Sequence, residues 1–140
     1  MTPVPTLFRV IAIAALAWNL IGIAMFFLQT GMSAAQIAQL PPAQQAVYAA
    51  MPAWLSIFYA IAVFGGALGS LALLLRRRWA LPLLAISLAA VLVQTIALYA
   101  LTPAWQASGV GGLPMTLLIV GIAAFLLWYA RLASKRGWLR

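Results

Sequence analysis

Four long apolar stretches, separated by short polar or charged connections, dominate the pattern of the sequence. Each stretch is close to the ~20 residues that a helix needs to cross a hydrocarbon core of ~30 Å. Their apolar positions run on without the strict alternation that the strands of a membrane barrel require. Because lipid offers no hydrogen bonds to an irregular backbone, the stretches must be helical. The pattern predicts an all-α membrane protein, a four-transmembrane-helix bundle with helices at about 8–28, 54–75, 80–101 and 113–130.

Composition leads to the same class. Of the 140 residues, 67% are hydrophobic and 6% are charged, and the mean hydropathy is +1.12. Soluble domains are about half apolar and about a quarter charged, so the bilayer must be the solvent for most of this chain. A chain of this length has room for one domain only. We therefore expect residues 1–140 to form a single integral membrane domain.

The sequence lacks cysteine, histidine, aspartate and glutamate. General acid–base catalysis and metal binding depend on those side chains, and the sequence contains no phosphate-cradling loop. Proton-coupled transporters also normally carry an ionisable residue within the membrane. We therefore expect no catalytic residues, no metal site and no cofactor, and we predict that the protein is not an enzyme.

The cations of the chain indicate its orientation. They lie before the first helix, between the second and third, and after the fourth, whereas the connections at 29–53 and 102–112 contain none. The eight are Arg9, Arg76, Arg77, Arg78, Arg131, Lys135, Arg136 and Arg140. Because positively charged loops stay in the cytoplasm, the sequence predicts cytoplasmic termini and two outer loops. The first helix is longer than the about 7–15 apolar residues of a signal peptide, so we expect it to remain uncleaved.

The first outer loop carries the signals of two short helices. Ser33 is a candidate N-cap, Pro41 and Pro42 end the first helix, and Pro42 suits the first turn of the second. Apolar residues are mixed there with glutamines, which is typical of a helical hairpin lying in the outer membrane interface. A loop packed as a cap on the bundle would explain the same pattern, and the sequence leaves both alternatives open.

Small residues line two adjacent faces of the second helix. Gly65 and Gly69 form a GxxxG pair, and Ala62, Gly66 and Ser70 repeat with the same spacing on the neighbouring face. Small residues allow two helix backbones to approach closely. They predict a helix-packing face, either within the monomer or in an oligomer, and a substrate-facing groove is a further alternative.

Four residues are unusual for their depth in the membrane. Asn19 lies near mid-membrane, and Gln94 and Tyr59 lie somewhat nearer the outer side, counting about 1.5 Å per residue. Trp18 sits beside Asn19, at a depth where an indole needs a hydrogen-bond partner or a ligand to stack on. Amides at such depths commonly join helices. Alternatively, the four residues line a small polar cavity that opens to the outer face.

Most of the other tryptophans mark the ends of helices. The expected members of the aromatic belts at the two membrane interfaces are Trp54, Trp79, Trp105 and Trp138.

Cations in a chain without any side-chain carboxylate cannot form internal ion pairs. Anionic headgroups are their natural counterions, and each cation near the surface contributes about 1 kcal/mol. The predicted contacts with anionic phospholipid are Arg76, Arg77, Arg78, Arg131, Lys135 and Arg136. Topology explains most of this charge, an acidic cytoplasmic partner is an alternative for the arginine turn, and a nucleic-acid partner is not expected.

The strings WNLIG (18–22), MPAW (51–54), AVFGG (62–66), LGSLALLLRRRWALPLL (68–84) and LLWYARLASKRGWLR (126–140) carry a resemblance. They are similar to a group of small bacterial four-helix membrane proteins that are uncharacterised or automatically labelled as sugar transporters. The resemblance covers most of the chain and implies a multi-pass protein of the bacterial inner membrane. It brings no sugar-binding residues with it. It also implies acidic residues in the first outer loop, where this chain has Gln44, Gln45 and Ala50.

Two functions fit these features. The leading prediction is a non-catalytic inner-membrane protein that acts by association, as an accessory subunit or as a module that binds anionic lipid. The glycine face and the cations without acidic partners support it. The alternative is a passive or oligomeric transporter of a small neutral solute such as a sugar, with Trp18, Asn19, Tyr59 and Gln94 along the path. Because four helices rarely enclose a path alone, the alternative requires at least a dimer.

Overall fold

The computed structural model describes residues 5–139, except for the side chains of residues 108–110. Helices make up 84% of the structure, and its described part contains no strand. In chain order the elements are α1 (Thr6–Thr30), α2 (Ala34–Ala38), α3 (Pro42–Ala50), α4 (Trp54–Leu74), α5 (Ala80–Leu101), α6 (Ala104–Ser108), a 3-10 turn (Gly109–Gly112) and α7 (Leu113–Lys135). Only α1, α4, α5 and α7 among these are long and apolar enough to span a membrane. The prediction of an all-α chain with four helices long and apolar enough to span a membrane is confirmed.

The predicted bounds of the helices are close to the observed ones, and the largest difference is at the end of α7. That helix was predicted to end near residue 130 and continues to Lys135. Arg131 and Lys135 both remain exposed there, so their charged groups leave the bundle while the backbone stays helical. A cation in the last turn of a helix also interacts favourably with the helix dipole.

The four long helices form an open arc in which α1 packs on α4, α4 on α5, and α5 on α7. In the most apolar 18-residue segment of α4, 39% of the residues are buried, whereas the corresponding share is 17% in both α1 and α7. The small residues of α4 explain this difference, because they allow a neighbour to approach on two sides. One polar contact joins each neighbouring pair of helices. These contacts connect Asn19 Nδ2 to Ser70 Oγ (3.3 Å), Ser87 Oγ to the carbonyl of Ala62 (2.6 Å), and the hydroxyls of Tyr99 and Thr116 (3.1 Å).

The glycine face is used inside the monomer. A Cβ added at Gly66 would lie 2.9 Å from Cγ of Asn19, on α1, and closer still to its amide oxygen. A Cβ at Gly69 would lie 2.8 Å from the side chain of Leu84 and 3.3 Å from its backbone nitrogen, on α5. Gly65 is looser, because its nearest neighbour would be 3.6 Å away. The two small faces of α4 therefore hold α1 and α5, one on each side.

At one end of the bundle, here named the closed end, the tail after α7 folds back into the core. Gly137 adopts φ +75, a left-handed conformation that reverses the chain after the helix. Trp138 and Leu139 are then only 5% and 2% exposed. The Trp138 ring lies 5.6 Å from that of Phe8 and 6.4 Å from that of Tyr129, measured between centroids. The prediction that Trp138 belongs to an aromatic belt is wrong, because the turn at Gly137 directs its ring inward.

The turn between α4 and α5 lies at the same end and is tied to this tail. Arg76 has φ 62, and the two backbone hydrogen bonds donated by Arg76 and Arg77 close a Schellman motif after α4. Nε of Arg76 donates a hydrogen bond of 2.9 Å to the carbonyl of Trp138. One arginine thus joins the middle of the chain to its C-terminal segment.

The opposite end, here named the loop end, carries α2, α3 and α6. The Ser33 hydroxyl accepts a hydrogen bond from the backbone of Gln36, whose side chain accepts one from the backbone of Ser33, and Pro42 begins α3. Nε2 of Gln45 donates to the carbonyl of Ala38 at 3.1 Å, which joins α3 to α2, and to that of Leu40 at 2.7 Å. α3 contacts α6, but no residue of α2 or α3 is buried. The two loops therefore meet over this end of the bundle without filling it.

Candidate ligand cavity

A cavity of about 510 Å³, here named the main cavity, lies between α1, α4, α5 and α7. The lining residues farthest from the loop end include Asn19 and Leu126, near the middle of α1 and α7, and Leu84, in the second turn of α5. From there it extends toward the loop end, where Gln29 and Met115 line it. Packed side chains of the core fill the closed end instead. The cavity therefore extends from the middle of the bundle toward one end only.

Trp18, Asn19, Tyr59 and Gln94 all line the main cavity. They come from three helices, α1, α4 and α5, so no local pattern brings them together. The structure thus places the four residues chosen for their depth and chemistry around one space.

Asn19 serves both of the roles considered for it. Its Nδ2 donates hydrogen bonds to the carbonyl of Ala15 at 2.8 Å and to Oγ of Ser70 at 3.3 Å, so the amide joins α1 to α4. The same side chain lines the cavity, with its oxygen against Gly66. The two alternatives for this residue are compatible.

Gln94, Tyr59 and Trp18 differ from Asn19. All three are half-buried, and none of the hydrogen bonds among the described residues involves their side chains. A polar group removed from water without a partner costs about 1–3 kcal/mol. Their amide, hydroxyl and indole groups are therefore available to water or to a ligand in the cavity.

Several lining residues were not identified from the sequence. Ser87 lines the cavity, and its hydroxyl donates to a carbonyl of α4 and is thus already occupied. The wall from α7 includes Met115, Ile119 and Ile122. These are ordinary apolar residues of a spanning helix. Only the arrangement of α7 across from α1 makes them part of a site, and the sequence carries no signal for that arrangement.

A second space, here named the side groove, lies between α1 and α7. It has a volume of about 330 Å³ and is lined by residues of these two helices alone. They are Ile11, Ala14, Ala15, Trp18, Ile122, Phe125 and Leu126. Three of them, Trp18, Ile122 and Leu126, also line the main cavity, so the two spaces adjoin.

Among the residues that the structure describes, no charged side chain lines either space. Of the predicted lipid contacts, Arg76 is half-buried and bonded to the carbonyl of Trp138, so it has a structural role. The guanidinium of Arg136 lies 5.5 Å from the centre of the Trp138 ring. The exposed members are Arg77, Arg78, Arg131, Lys135 and Arg136. Positive charge thus surrounds the closed end, and the cavity walls are neutral.

No protein-family model, no curated protein and no solved structure matches the chain.

Proposed function

We propose that the protein binds a small neutral molecule in the main cavity and acts, without catalysis, as a passive carrier for it, in an assembly of at least two copies because four helices alone rarely enclose a path. The observation that supports this most is the convergence of Trp18, Asn19, Tyr59 and Gln94 on one cavity. Its volume of about 510 Å³ falls within the range of roughly 300–1,000 Å³ that is usual for ligand sites. Such sites are mostly apolar, with a few polar groups that orient the ligand, as here.

The ligand is neutral because the described side chains that line the main cavity are uncharged. An ion brought into an uncharged site loses its hydration without gaining a counterion, which is far more costly than burying a neutral polar group. An amide at Gln94 and a hydroxyl at Tyr59 offer both donors and acceptors to an uncharged polar group. Trp18 adds a flat surface for stacking.

Replacing Gln94 with leucine should weaken ligand binding and flux while leaving the fold intact. The side chain makes no hydrogen bond among the described residues, so its removal costs the protein none of those contacts. One lost hydrogen bond to a neutral ligand is worth about 0.5–1.5 kcal/mol, or roughly 2- to 12-fold in affinity. The measurement is uptake of neutral solutes into proteoliposomes, with Gln39→Leu in the exposed loop as the matched control. Equal flux in the two variants, with uptake present in the wild type, would contradict the proposal. Asn19→Leu is less informative, because Asn19 also binds Ser70.

The proposed orientation is cytoplasmic for both termini and for the closed end, in a bacterial inner membrane. It is supported by the cations, all of which lie outside the two loops of the loop end. The main cavity would then open away from the cytoplasm. Since the chain has no cysteine, single cysteines report the side directly. An impermeant thiol reagent added to intact cells should label Gln39→Cys and should not label Lys135→Cys. The reverse pattern would refute this orientation.

Association with anionic lipid is the second candidate function, favoured by the exposed cations at the closed end. The glycine face no longer supports an oligomer interface, because Gly66 and Gly69 hold α1 and α5 within the monomer. The charge remains without acidic partners, since the chain has no carboxylate side chains. A role as a subunit of a membrane complex, through bound lipid or an acidic partner, is proposed on this charge alone.

Anionic phospholipid should be retained by the wild type in native mass spectrometry and reduced in the Arg77→Gln/Arg78→Gln variant. Both side chains are exposed, and each cation near the headgroups contributes about 1 kcal/mol. Two such contributions correspond to a loss of roughly 30-fold in affinity. Arg76→Gln is the matched control. It should lower the melting temperature, because Arg76 donates a hydrogen bond to the carbonyl of Trp138, and it should reduce lipid retention less than the double variant does. Undiminished lipid in the double variant would remove the arginine turn from the lipid site.

A further inference from the structure

We infer that the ligand of the main cavity is a neutral amphiphile that enters from the lipid phase between α1 and α7. Its polar head lies near Gln94 and Tyr59, and its apolar chain lies in the side groove. This inference rests on the proposed function, because it names the class of molecule that the main cavity holds.

Toward the loop end the main cavity is lined by polar side chains together with apolar ones such as Leu98 and Met115, whereas the lining of the side groove is almost entirely apolar. The polar side chains without hydrogen-bond partners among the described residues include Gln94 and Tyr59, in the half of the main cavity toward the loop end. Gln29 lies farther in the same direction, roughly 16 Å along α1 from Trp18. The side groove runs the other way, past Ala14 to Ile11, and apart from the Trp18 indole its lining is aliphatic or aromatic. A ligand that fills both spaces therefore meets free polar groups at one end only, which favours a molecule that is polar at that end and apolar at the other.

Trp18 lies where the two spaces adjoin, and it lines both. An indole has an apolar body and one polar N–H, so it suits the junction between a polar head and an apolar chain. Ile122 and Leu126, on α7, face the same junction from the opposite side. The two spaces therefore accommodate one elongated molecule that bends past Trp18.

The side groove lies between two long helices that make few direct contacts with each other. α1 and α7 are the two ends of the arc, and Phe8 and Tyr129 stack at 6.1 Å between centroids at the closed end. Beyond that contact the groove separates them, and Ala14 and Phe125 on its two walls are exposed. In a bilayer this surface faces acyl chains, so a molecule dissolved in the membrane reaches it without crossing water.

A free sugar fits these spaces less well. Its hydroxyls point in all directions, and those directed toward Leu126, Ile122 or the side groove would lose water without gaining a hydrogen bond. The chain of an amphiphile moves from lipid into an equally apolar groove, so it gains only van der Waals contact. Selection among amphiphiles then depends on the head group, through Gln94 and Tyr59.

The experiment compares two neutral probes with the same head, monoolein and its short-chain counterpart monobutyrin, bound to the purified full chain. Ala14→Trp fills the side groove at an exposed position, and Ala14→Leu fills it partly. Ala24→Trp is the matched control, because Ala24 is exposed on α1 and lines neither space. Melting temperatures identify any variant that fails to fold, and the leucine variant then replaces the tryptophan variant.

The wild type should bind monoolein more tightly than monobutyrin. Ala14→Trp should weaken monoolein about tenfold or more, since each methylene kept out of the groove loses contact. Ala14→Leu should be intermediate, Ala24→Trp unchanged, and monobutyrin unaffected by any of the three. Gln94→Leu should weaken both probes. If Ala14→Trp binds monoolein as the wild type does, or if monobutyrin binds equally tightly, the amphiphile inference is overturned and the proposed cavity stands. If the wild type binds no neutral probe of any kind, both the amphiphile inference and the proposed function fail.

Discussion

Replacing Trp138 with alanine should lower the melting temperature of the detergent-solubilised protein more than removing any exposed tryptophan. The ring is 5% exposed and packs on Phe8 and Tyr129, and the carbonyl of the same residue accepts the hydrogen bond of Arg76. Truncating a buried aromatic residue to alanine typically costs about 3–5 kcal/mol. The matched control is Trp128→Ala, because Trp128 is 58% exposed on α7. We expect the control to change the melting temperature little.

A second replacement separates packing from polarity at this position. Nε1 of Trp138 is buried and has no hydrogen-bond partner among the described residues. Trp138→Phe keeps an aromatic ring and removes that N–H, so it should lose much less stability than Trp138→Ala. If Trp138→Ala melted at the temperature of Trp128→Ala, the folded-back tail would have no part in closing this end.

Replacing Gly66 with alanine should also destabilise the protein strongly for a change of one methyl group. The new Cβ would overlap the amide of Asn19, which must then move and lose its hydrogen bond to Ser70. Overpacking of this kind costs about 1–3 kcal/mol. Gly69→Ala meets Cδ2 and Cγ of the buried Leu84 at 2.8 Å and its backbone nitrogen at 3.3 Å, so we expect a loss of stability there as well. The measurement is thermal unfolding in a mild detergent.

Gly121→Ala is the control for a glycine in a spanning helix. A Cβ at Gly121 would have nothing within 4 Å. Glycine within a helix is about 0.5–1 kcal/mol less favourable than alanine, so this variant should be as stable as the wild type or slightly more stable. If Gly66→Ala were as stable as Gly121→Ala, the close approach of α1 to α4 would not depend on the glycine face.

Hydropathy was sufficient to predict the spanning helices, because in lipid an apolar stretch of this length has little alternative to a helix. The predicted bounds of α5, 80–101, agree with the observed helix Ala80–Leu101. The predicted end of α7, near residue 130, falls before the observed end at Lys135, because a charged residue can end an apolar stretch without ending the helix. Trp138 was misplaced because a single left-handed residue, Gly137, decides where the tail goes.

Part of the candidate site could be predicted from residue chemistry. An amide, a phenol and an indole deep in apolar helices are costly unless they have partners, and this identified Asn19, Gln94, Tyr59 and Trp18 in advance. Their common cavity depends on which faces of α1, α4 and α5 meet, and in α1 and α5 almost every position is apolar. The α7 wall depends on an arc that leaves α1 and α7 apart. No property of Met115 or Ile119 indicates that arrangement.

The most direct test of whether the main cavity is open to water from the outer face as far as Gln94 is labelling with a membrane-impermeant thiol reagent. The chain contains no cysteine, so Gln94→Cys has a single reactive thiol. Ile96→Cys, two positions along α5, is the matched control, because Ile96 is 66% exposed and lines neither space, so that in a bilayer it would face lipid. Thiols react as thiolates, which form in water and not in hydrocarbon. We expect reagent added to intact cells to label Gln94→Cys and not Ile96→Cys. A neutral ligand that binds in the main cavity should slow the labelling of Gln94→Cys when it is added before the reagent. Labelling of neither cysteine, or of both at equal rates, would contradict a water-accessible cavity at this position.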